Sequence, residues 1–504
     1  MPKIHTIETT PYDDQKPGTS GLRKSVKTFQ QKHYLANFVQ SIFNAIPDLS
    51  GGKIIVGGDG RFYNDEAVQI ILGIAAANGI KEVIIGKNAI LSTPAVSHLV
   101  RKFKCDGGMV LSASHNPAGE TGDFGIKFNI NNGGAAPTSV TEKIYDISRS
   151  ISSFTMVDGQ VDISETGVQT LGDMTVTIID PVADFADLME TLFDFQAIKD
   201  LLSSGFKIAF DALNAVTGPY AVEIFETRLG VTAEGLHNIK PLPDFGGGHP
   251  DPNPVHAKEL FDLMFGGSAP DFGAASDGDG DRYIVLGPKF YVSPSDSVAI
   301  LAANAHLTPG YKSGIKGVAR SMPTSRAVDK VAEALGITSY ETPTGWKYFC
   351  NLLEAGRISI CGEESAGTSS DHIREKDGLW AILMWLNILA VRGESVEQIV
   401  RDHWKTYGRH YYTRHDYEAV ETSQAQAVMA KLKSQLSDLA GTSLMGETIQ
   451  AADSFTYTDP IDGSIAENQG LRVFFESGSR FVMRLSGTGT NGATVRLYLS
   501  LIHI

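Results

Sequence analysis

The run SDGDGDR, from Ser276 to Arg282, carries the strongest chemical signal in the sequence. Asp277, Asp279 and Asp281 stand at alternate positions with glycine between them, and glycine lets the backbone turn tightly enough to aim all three carboxylates at one point. Three crowded carboxylates repel one another in the absence of a cation, and all-oxygen ligation suits a hard ion such as Mg²⁺. The pattern therefore predicts a magnesium site.

Two other interpretations of this run are weaker. A calcium-binding EF-hand loop has the same opening, but it needs a glycine in sixth place and a glutamate in twelfth, where this chain has Arg282 and Pro288. A solvated acidic turn needs one Asp-Gly pair and not three.

The second signal is SASHNP, in which Ser114 and His115 are adjacent in a loop that follows an apolar strand. Nothing here resembles the G-x-S-x-G elbow of hydrolases, and a free serine hydroxyl is a weak nucleophile. If Ser114 carries a phosphate, one phosphoryl oxygen could complete the ligands of the metal, which would polarise the phosphorus for transfer. A turn of this kind on its own is more often structural. The interpretation of SASHNP as a catalytic loop therefore depends on the presence of the acidic run.

The third signal is RLSGTGTNG, which contains a formal G-x-G-x-x-G match. A dinucleotide fingerprint must open a helix, whereas the strand-like run TVRLYL follows here, so the dinucleotide interpretation fails. What remains is a loop of backbone N–H groups and hydroxyls between Arg484 and Arg496, which suits a phosphate dianion.

Weaker candidates surround these motifs. CGEESAG offers acceptors for sugar hydroxyls, although a lone EES turn is usually surface. The neighbouring polar and cationic residues fit ordinary surface elements equally well on spacing alone. These candidates are Arg23, Lys127, Thr344, Glu363, Glu364, Ser365, Arg374 and Lys376.

The elements that must position these residues follow a repeated order. Three times the chain gives a short β-rich run, a glycine-rich loop and a helical pattern, which predicts βα units in mixed or parallel sheets. The last segment differs, because a polar helical stretch near 418–439 is followed by strands joined by tight turns. We therefore expect an α/β protein of four domains, at 1–180, 181–300, 301–405 and 406–504, the last with an antiparallel sheet.

Composition excludes several classes of protein. The net charge of −15 disfavours nucleic acid or an anionic membrane as a partner. The three cysteines, an odd number without a CxxC pair, predict neither a disulfide framework nor a zinc site, and so indicate the cytoplasm. The apolar run from Leu379 to Val391 is too short to span a bilayer and predicts a buried helix.

Taken in order, PGTSGLR, SASHNP, DGDGDR, GEESAG and RLSGTGTNGATVR resemble the α-D-phosphohexomutase family, and within it the eukaryotic-type phosphoglucomutases. The likeness extends through VGGDGRFYN, DFGGGHPDPN and SDHIREKDGLWA to the last strand. It implies four domains around a central cleft, three of a shared mixed α/β topology and a fourth unrelated one. Each domain brings one loop: in chain order, the phosphoserine, metal-binding, sugar-binding and phosphate-binding loops.

The resemblance also implies residue roles. Ser114 would carry the phosphate and would bind Mg²⁺ with Asp277, Asp279 and Asp281. The reacting phosphoryl group would be surrounded by Arg23, His115, Lys127 and Arg282, with Lys127 as the candidate for proton transfer. The sugar contacts would be Thr344, Glu363, Ser365 and Lys376, and the site for the phosphate that is not transferred would be formed by Arg484, Ser486, Gly487, Thr488 and Arg496.

The implied reaction interconverts glucose 1-phosphate and glucose 6-phosphate through a glucose 1,6-bisphosphate intermediate, in a cytoplasmic monomer or weak dimer. Two alternatives stay open: a phosphomannomutase or dual-specificity mutase, and a non-catalytic phosphorylated scaffold. Family members of this type continue past the TVRLYL strand, so we expect a truncated fourth domain with reduced stability and weak activity.

Overall fold

The computed structural model describes residues 3–444, 446–486 and 492–503, and the side chains of residues 486, 502 and 503 are not described. The chain forms two compact units. One comprises residues 1–291, 306–313 and 367–396, and the other comprises residues 292–305, 314–366 and 397–504.

The first unit contains a seven-stranded mixed sheet. Its central strands run parallel, and antiparallel strands flank them on both sides. In spatial order the strands are Leu22–Ser25, Asp123–Ile130, Gly107–Leu111, Lys53–Gly58, Glu82–Ile90, Met174–Ile179 and Gly167–Leu171. The helices of this region are Val26–Phe29, Tyr34–Ala45, Asn64–Ala77, Thr93–Lys102 and Thr138–Ser148. A separate antiparallel pair joins Ile4–Glu8 to Ser153–Val157.

A second, five-stranded mixed sheet belongs to the same unit. Its strands in spatial order are Leu236–His237, Ile208–Asp211, Phe272–Ser276, Tyr283–Gly287 and Phe290–Tyr291, of which the first three are parallel. The helices are Ala183–Leu192, Phe195–Ser203, Thr217–Ala221, Lys258–Phe265 and Gly378–Arg392, and a π-helix covers Val222–Arg228.

The second unit begins with three parallel strands, Thr338–Thr342, Gly317–Ser321 and Ile360–Gly362. Their helices are Pro294–Asn304, Ala327–Leu335 and Lys347–Glu354, and Val396–Tyr407 follows. The chain then forms an antiparallel sheet with the helix Thr422–Leu439. Its strands in spatial order are Arg409–Val420, Ala493–His503, Arg480–Ser486, Leu471–Phe475, Glu447–Ser454 and Ser443–Leu444, and a small pair joins Tyr457–Thr458 to Ile465–Ala466.

The predicted fold class is confirmed, with mixed sheets before the antiparallel C-terminal sheet. The apolar run after Leu379 lies within the buried helix Gly378–Arg392, as predicted. Within the described residues, no single helix is long and apolar enough to cross a membrane. The helices Gly378–Arg392 and Val396–Tyr407 meet that criterion only as a bent pair taken together.

Candidate active site

The serine loop begins where the buried strand Gly107–Leu111 ends. Ser114 is 1% exposed and has a φ of 54°, a conformation that a residue with a Cβ adopts only when its surroundings hold it there. Its N–H donates to Ser112 Oγ at 2.7 Å, and its carbonyl accepts from Arg61 Nη2 at 2.7 Å. The loop is therefore held in place through its backbone, which leaves the Ser114 hydroxyl available for chemistry.

The acidic trio follows the strand Phe272–Ser276, in the second sheet of the same unit. Asp277, Asp279 and Asp281 are all buried, and one carboxylate oxygen of each lies within 4.8 Å of the others. Gly280 has a φ of 78°, which permits the sharp turn between them. Gly278 has no room for a side chain, because a Cβ there would lie 2.4 Å from the carbonyl oxygen of Ser114.

A direct hydrogen bond joins the two loops. The Ser114 hydroxyl donates to Asp277 Oδ2 at 2.8 Å. The other oxygen, Asp277 Oδ1, accepts the backbone N–H groups of Asp281 and Arg282, each at 2.9 Å. The structure thus brings the predicted phosphate carrier into contact with the predicted metal ligands, although the two lie 163 residues apart in sequence.

The electrostatics of the trio favour a bound cation. Burial, and then the charges of Asp279 and Asp281, raise the pKa of Asp277 well above its usual value. For Asp279 burial also acts upward, but Lys127, the hydrogen bond from Thr93 and further cations outweigh it and lower the pKa. Crowded, buried carboxylates of this kind are stabilised by an ion that neutralises them.

The donor set fits Mg²⁺. Asp279 Oδ1 and Asp281 Oδ1 are buried and have no hydrogen-bond donor among the described residues. Hard oxygen ligands with unused lone pairs are what Mg²⁺ binds, and nitrogen or sulfur donors that would favour another metal are not part of the trio.

Cationic side chains border the acidic trio. Lys376 Nζ lies 3.0 Å from Asp281 Oδ2, and Arg282 Nε lies 3.8 Å from Asp281 Oδ1. Arg23 is partly buried beside the trio, and desolvation lowers its pKa while the charges of Asp279 and Asp281 act upward. Its Nε has no hydrogen-bond acceptor in the described parts of the chain, which leaves a buried donor for an anion.

Lys127 lies in the strand Asp123–Ile130 and forms a buried ion pair with Glu375, its Nζ 3.0 Å from Glu375 Oε1. Burial acts to lower the pKa of Lys127, but Glu375, Asp279 and Asp281 outweigh it, so the net shift is upward. Lys127 is therefore charged at neutral pH. The remaining candidate of this group, His115, has its Nδ1 3.4 Å from Ser114 Oγ, a distance too long for a strong hydrogen bond.

The candidate sugar contacts, apart from Lys376, lie in the second unit. Glu363 follows the strand Ile360–Gly362 and is 4% exposed, and its Oε1 accepts the N–H of Gly345 at 3.1 Å. Thr344 precedes that glycine, and its hydroxyl is buried without a hydrogen-bond partner among the residues described. Ser365 is partly exposed in the same loop as Glu363. The structure therefore brings the turn that contains Thr344 together with the CGEESAG loop.

The candidate phosphate site lies on the C-terminal sheet of the same unit. Arg484 and Arg496 are directly opposite each other on paired strands. Asp416 Oδ2 lies 3.3 Å from Arg496 Nε and offsets part of the repulsion between these like charges. Two adjacent guanidinium groups suit a phosphate, which can accept hydrogen bonds from both. Ser486 ends its strand, and Gly487 and Thr488 lie outside the described residues.

Several residues that support the site were not assigned a role from the sequence. Arg61 and Asp59 form a buried ion pair at 2.9 Å, and Ser112 Oγ donates to Asp59 Oδ2 at 2.6 Å. Thr93 Oγ1 donates to Asp279 Oδ2 at 2.6 Å, and Glu375 pairs with Lys127. For Asp59 and Arg61, the sequence feature that could have indicated a role is their place just after the strand Lys53–Gly58, in the motif VGGDGR.

Four family models match the chain in order. Three are described as phosphoglucomutase/phosphomannomutase α/β/α domains I, II and III, at residues 14–154, 183–289 and 294–407. The fourth, at residues 409–503, is described as the C-terminal domain of phosphoglucomutase-1.

Individual relatives match over almost the whole chain. Phosphoglucomutase of Rhizobium radiobacter is 58% identical over 98% of this chain and 92% of its own length. A probable cytoplasmic phosphoglucomutase of Arabidopsis thaliana is 51% identical over 99% of this chain and 92% of its own length. The solved open form of the exocytosis-sensitive phosphoprotein pp63/parafusin, a phosphoglucomutase from Paramecium, is 46% identical with a TM-score of 0.92, and covers 100% of this chain and 93% of that one.

Proposed function

Because the chain belongs to the phosphoglucomutase/phosphomannomutase family, we infer that it is a phosphoglucomutase, an intramolecular phosphotransferase that interconverts glucose 1-phosphate and glucose 6-phosphate. The observation that carries this function within the molecule is the contact between Ser114 Oγ and Asp277 Oδ2 at 2.8 Å. It joins a serine that can carry phosphate to three carboxylates that can hold a metal ion.

Ser114 is the residue proposed to carry the phosphoryl group. Its backbone N–H and carbonyl are both held by buried partners, so the hydroxyl has a fixed position. A fixed nucleophile lowers the entropic part of the barrier to transfer. The positively charged side chains proposed to surround the transferred group are Arg23, His115 when protonated, Lys127 and Arg282.

Asp277, Asp279 and Asp281 are proposed to hold Mg²⁺ together with an oxygen of the phosphoserine. The ion would neutralise charge on that phosphate and make the phosphorus more electrophilic. Thr93 and Lys376 hold the carboxylates of Asp279 and Asp281 in their present orientation, at 2.6 and 3.0 Å.

The reaction consists of two phosphoryl transfers, one from Ser114 to the sugar and one from the sugar back to Ser114. The bond from phosphorus to Ser114 Oγ breaks as a bond to the free hydroxyl of the sugar forms, and the proton of that hydroxyl ends on the serine oxygen. The product is glucose 1,6-bisphosphate, which must turn over before its other phosphate returns to Ser114. Lys127, the candidate for proton transfer, is proposed to be protonated at the start of each transfer, because the carboxylate of Glu375 stabilises its positive charge.

Thr344, Glu363, Ser365 and Lys376 are proposed to contact the sugar. The phosphate that is not transferred is proposed to bind Arg484, Ser486, Gly487, Thr488 and Arg496. A site made of cations and backbone N–H groups recognises charge more than shape, so it can accept the phosphate at either end of the turned intermediate.

The test is a coupled assay of glucose 6-phosphate formation from glucose 1-phosphate, with Mg²⁺ and catalytic glucose 1,6-bisphosphate. We expect Ser114→Ala to abolish turnover and to lose the phosphate that peptide mass spectrometry finds on the wild type. Ser148→Ala removes another buried serine hydroxyl of the first unit and should retain both. Turnover by Ser114→Ala at the wild-type rate would reject the phosphoserine mechanism.

Sugar preference is decided by a parallel assay of mannose 6-phosphate formation from mannose 1-phosphate, for which we expect a lower kcat/KM than for glucose 1-phosphate. A phosphorylated wild type that interconverts neither sugar phosphate would instead favour the scaffold alternative. The cytoplasmic location stays a prediction from cysteine content.

A further inference from the structure

Arg480 connects the C-terminal sheet to a turn of the preceding α/β region, within the second unit. Its side chain is 2% exposed. Nη2 donates to the carbonyl of Met322 at 2.8 Å and to that of Thr324 at 2.6 Å. These carbonyls belong to the turn that follows the strand Gly317–Ser321. Arg320 Nη1 also reaches them, at 3.4 and 3.5 Å, but Arg480 makes the shorter bonds to this turn.

The same turn holds the candidate sugar loop. Thr324 Oγ1 accepts the backbone N–H of Glu364 at 2.8 Å, and Ser321 Oγ donates to Glu364 Oε2 at 3.4 Å. Glu363 and Ser365, the proposed sugar contacts, are the neighbours of Glu364 in sequence. Arg480 is therefore connected to the sugar loop by hydrogen bonds that pass through one intervening residue, Thr324.

The other end of the connection is the candidate phosphate site. Arg480 and Arg484 lie on the strand Arg480–Ser486, an even number of residues apart, so both side chains project from the same face. Gly470 lies between this strand and the turn that contains Met322, because a Cβ at Gly470 would lie 2.8 Å from Arg484 Cγ and 2.8 Å from Met322 Cε. The strand that carries Arg484 thus packs closely against the turn that Arg480 holds.

Glu341 makes this arrangement electrostatically possible. Its Oε1 lies 3.1 Å from Arg480 Nη1 and 2.9 Å from Arg320 Nη1, and its Oε2 lies 2.6 Å from Arg472 Nη1. Burial, and then the like charge of Arg320, lower the pKa of Arg480 to about 10. The Glu341 carboxylate offsets the repulsion between these guanidinium groups.

We propose that Arg480, held by Glu341, is a positioning residue that fixes the spacing between the sugar loop and the phosphate-binding arginines, and thereby the length of hexose phosphate that the two can hold together. The proposal rests on the proposed function, because it assigns the two ends of the substrate to these two sets of residues. Arg480 itself contacts neither end.

Inorganic phosphate separates this role from a general loss of structure, because it occupies the phosphate site without the sugar loop. We expect Arg480→Met to raise the Kd and KM of glucose 1-phosphate about tenfold, as for the loss of charge-assisted hydrogen bonds. The Kd of inorganic phosphate, measured by calorimetry, should change less than about twofold. Arg480→Lys should give an intermediate value, since one ammonium can still bond to a carbonyl.

Arg472→Met is the matched control. Arg472 also pairs with Glu341, but its other hydrogen-bond partner among the described residues is Asp453, and it makes no hydrogen bond to the turn. The Arg472→Met variant should therefore lose less affinity for glucose 1-phosphate than the Arg480→Met variant does. If Arg480→Met does not fold, Arg480→Lys provides the comparison, because it keeps a buried positive charge beside Glu341 while it removes the guanidinium group.

Equal weakening of glucose 1-phosphate and inorganic phosphate would overturn the proposal, and so would an unchanged affinity for glucose 1-phosphate. A wild type that binds glucose 1-phosphate without converting it would contradict the proposed function alone, since the binding comparison can still be made.

Discussion

Arg61 supports the backbone of Ser114, with its Nη2 donating to the Ser114 carbonyl at 2.7 Å although the two are 53 residues apart. The same guanidinium pairs with Asp59 and donates through Nη1 to the carbonyl of Asp123 at 3.0 Å. Both charged side chains are fully buried. The strained conformation of Ser114 is thus held by an ion pair that never contacts solvent.

Arg61→Met should destabilise the protein strongly, because it leaves the Asp59 carboxylate buried without its partner. Breaking a buried pair in this way costs about 3–5 kcal/mol, and the free energy of unfolding in urea measures it. The double variant Asp59→Asn/Arg61→Met removes the uncompensated charge and should recover part of the loss. A change below about 1 kcal/mol in the single variant would show that the pair is not needed for stability.

Ser112→Ala should lower kcat by about tenfold or more, because the buried N–H of Ser114 loses its acceptor at a cost of about 1–3 kcal/mol. Ser112→Thr keeps the hydroxyl and is the control that should retain activity. Stopped assays on both variants at saturating glucose 1-phosphate give the comparison. Equal kcat values for the alanine and threonine variants would contradict this role of the hydroxyl.

The sequence was sufficient to predict the fold class and the clustering of three carboxylates in one loop. Asp277, Asp279 and Asp281 could be recognised because their spacing within one short loop already restricts where their carboxylates point. The polar helix predicted near 418–439 begins at Thr422, because the strand Arg409–Val420 occupies the positions before it and Glu421 accepts the N–H of Ser423 at the start of the helix.

Pairings between distant segments could not be predicted in this way. Glu375 and Lys127 are 248 residues apart, and nothing in either local sequence indicates that they meet. The local sequence likewise does not indicate that Ser112 joins Asp59 to the N–H of Ser114. Such contacts depend on how the sheets pack, which local periodicity does not specify.

Magnesium should stabilise the protein against heat, because it binds the folded trio and not the unfolded chain. At about a hundredfold excess over its Kd the gain is about 2.7 kcal/mol, seen as a rise in Tm on adding Mg²⁺. Asp279→Asn should remove most of the rise, whereas Asp173→Asn, at an exposed turn, should preserve it. An equal rise in both variants would place the stabilising ion elsewhere.

His410 should make the protein less stable as the pH falls below about 6.5. Burial lowers the pKa of this histidine from 6.5 to about 4, while the nearby charges are Asp329, Arg326, Lys330 and Arg320. The unfolded chain therefore takes up the proton first, so the stabilisation is complete above pH 6.5 and is lost as the pH falls toward 4. The loss amounts to at most about 3 kcal/mol.

Thermal melts between pH 7 and pH 5 test this dependence. The wild type should lose more Tm over that interval than His410→Phe, which cannot titrate at this position. Parallel curves for the two proteins would assign the acid sensitivity to other groups.

Glu375→Gln should change the pH dependence of catalysis, because it removes the carboxylate that holds Lys127 in its charged form. The two side chains lie 3.0 Å apart and are 2% and 9% exposed for Glu375 and Lys127, so solvent screens their interaction little. Without Glu375, burial acts against the charge of Lys127 with only Asp279 and Asp281 opposing it, and the pKa of Lys127 falls. Activity that requires the ammonium form must then decline at a lower pH.

The measurement is the pH profile of kcat for the wild type, Glu375→Gln and Glu375→Asp. We expect the alkaline limb to move to lower pH in the glutamine variant and to stay close to the wild type in the aspartate variant, which keeps the charge. The double variant Lys127→Met/Glu375→Gln should be more stable to urea than Glu375→Gln alone, because it no longer buries an uncompensated cation. An unchanged alkaline limb in Glu375→Gln would mean that the ammonium group of Lys127 does not take part in the step that limits turnover.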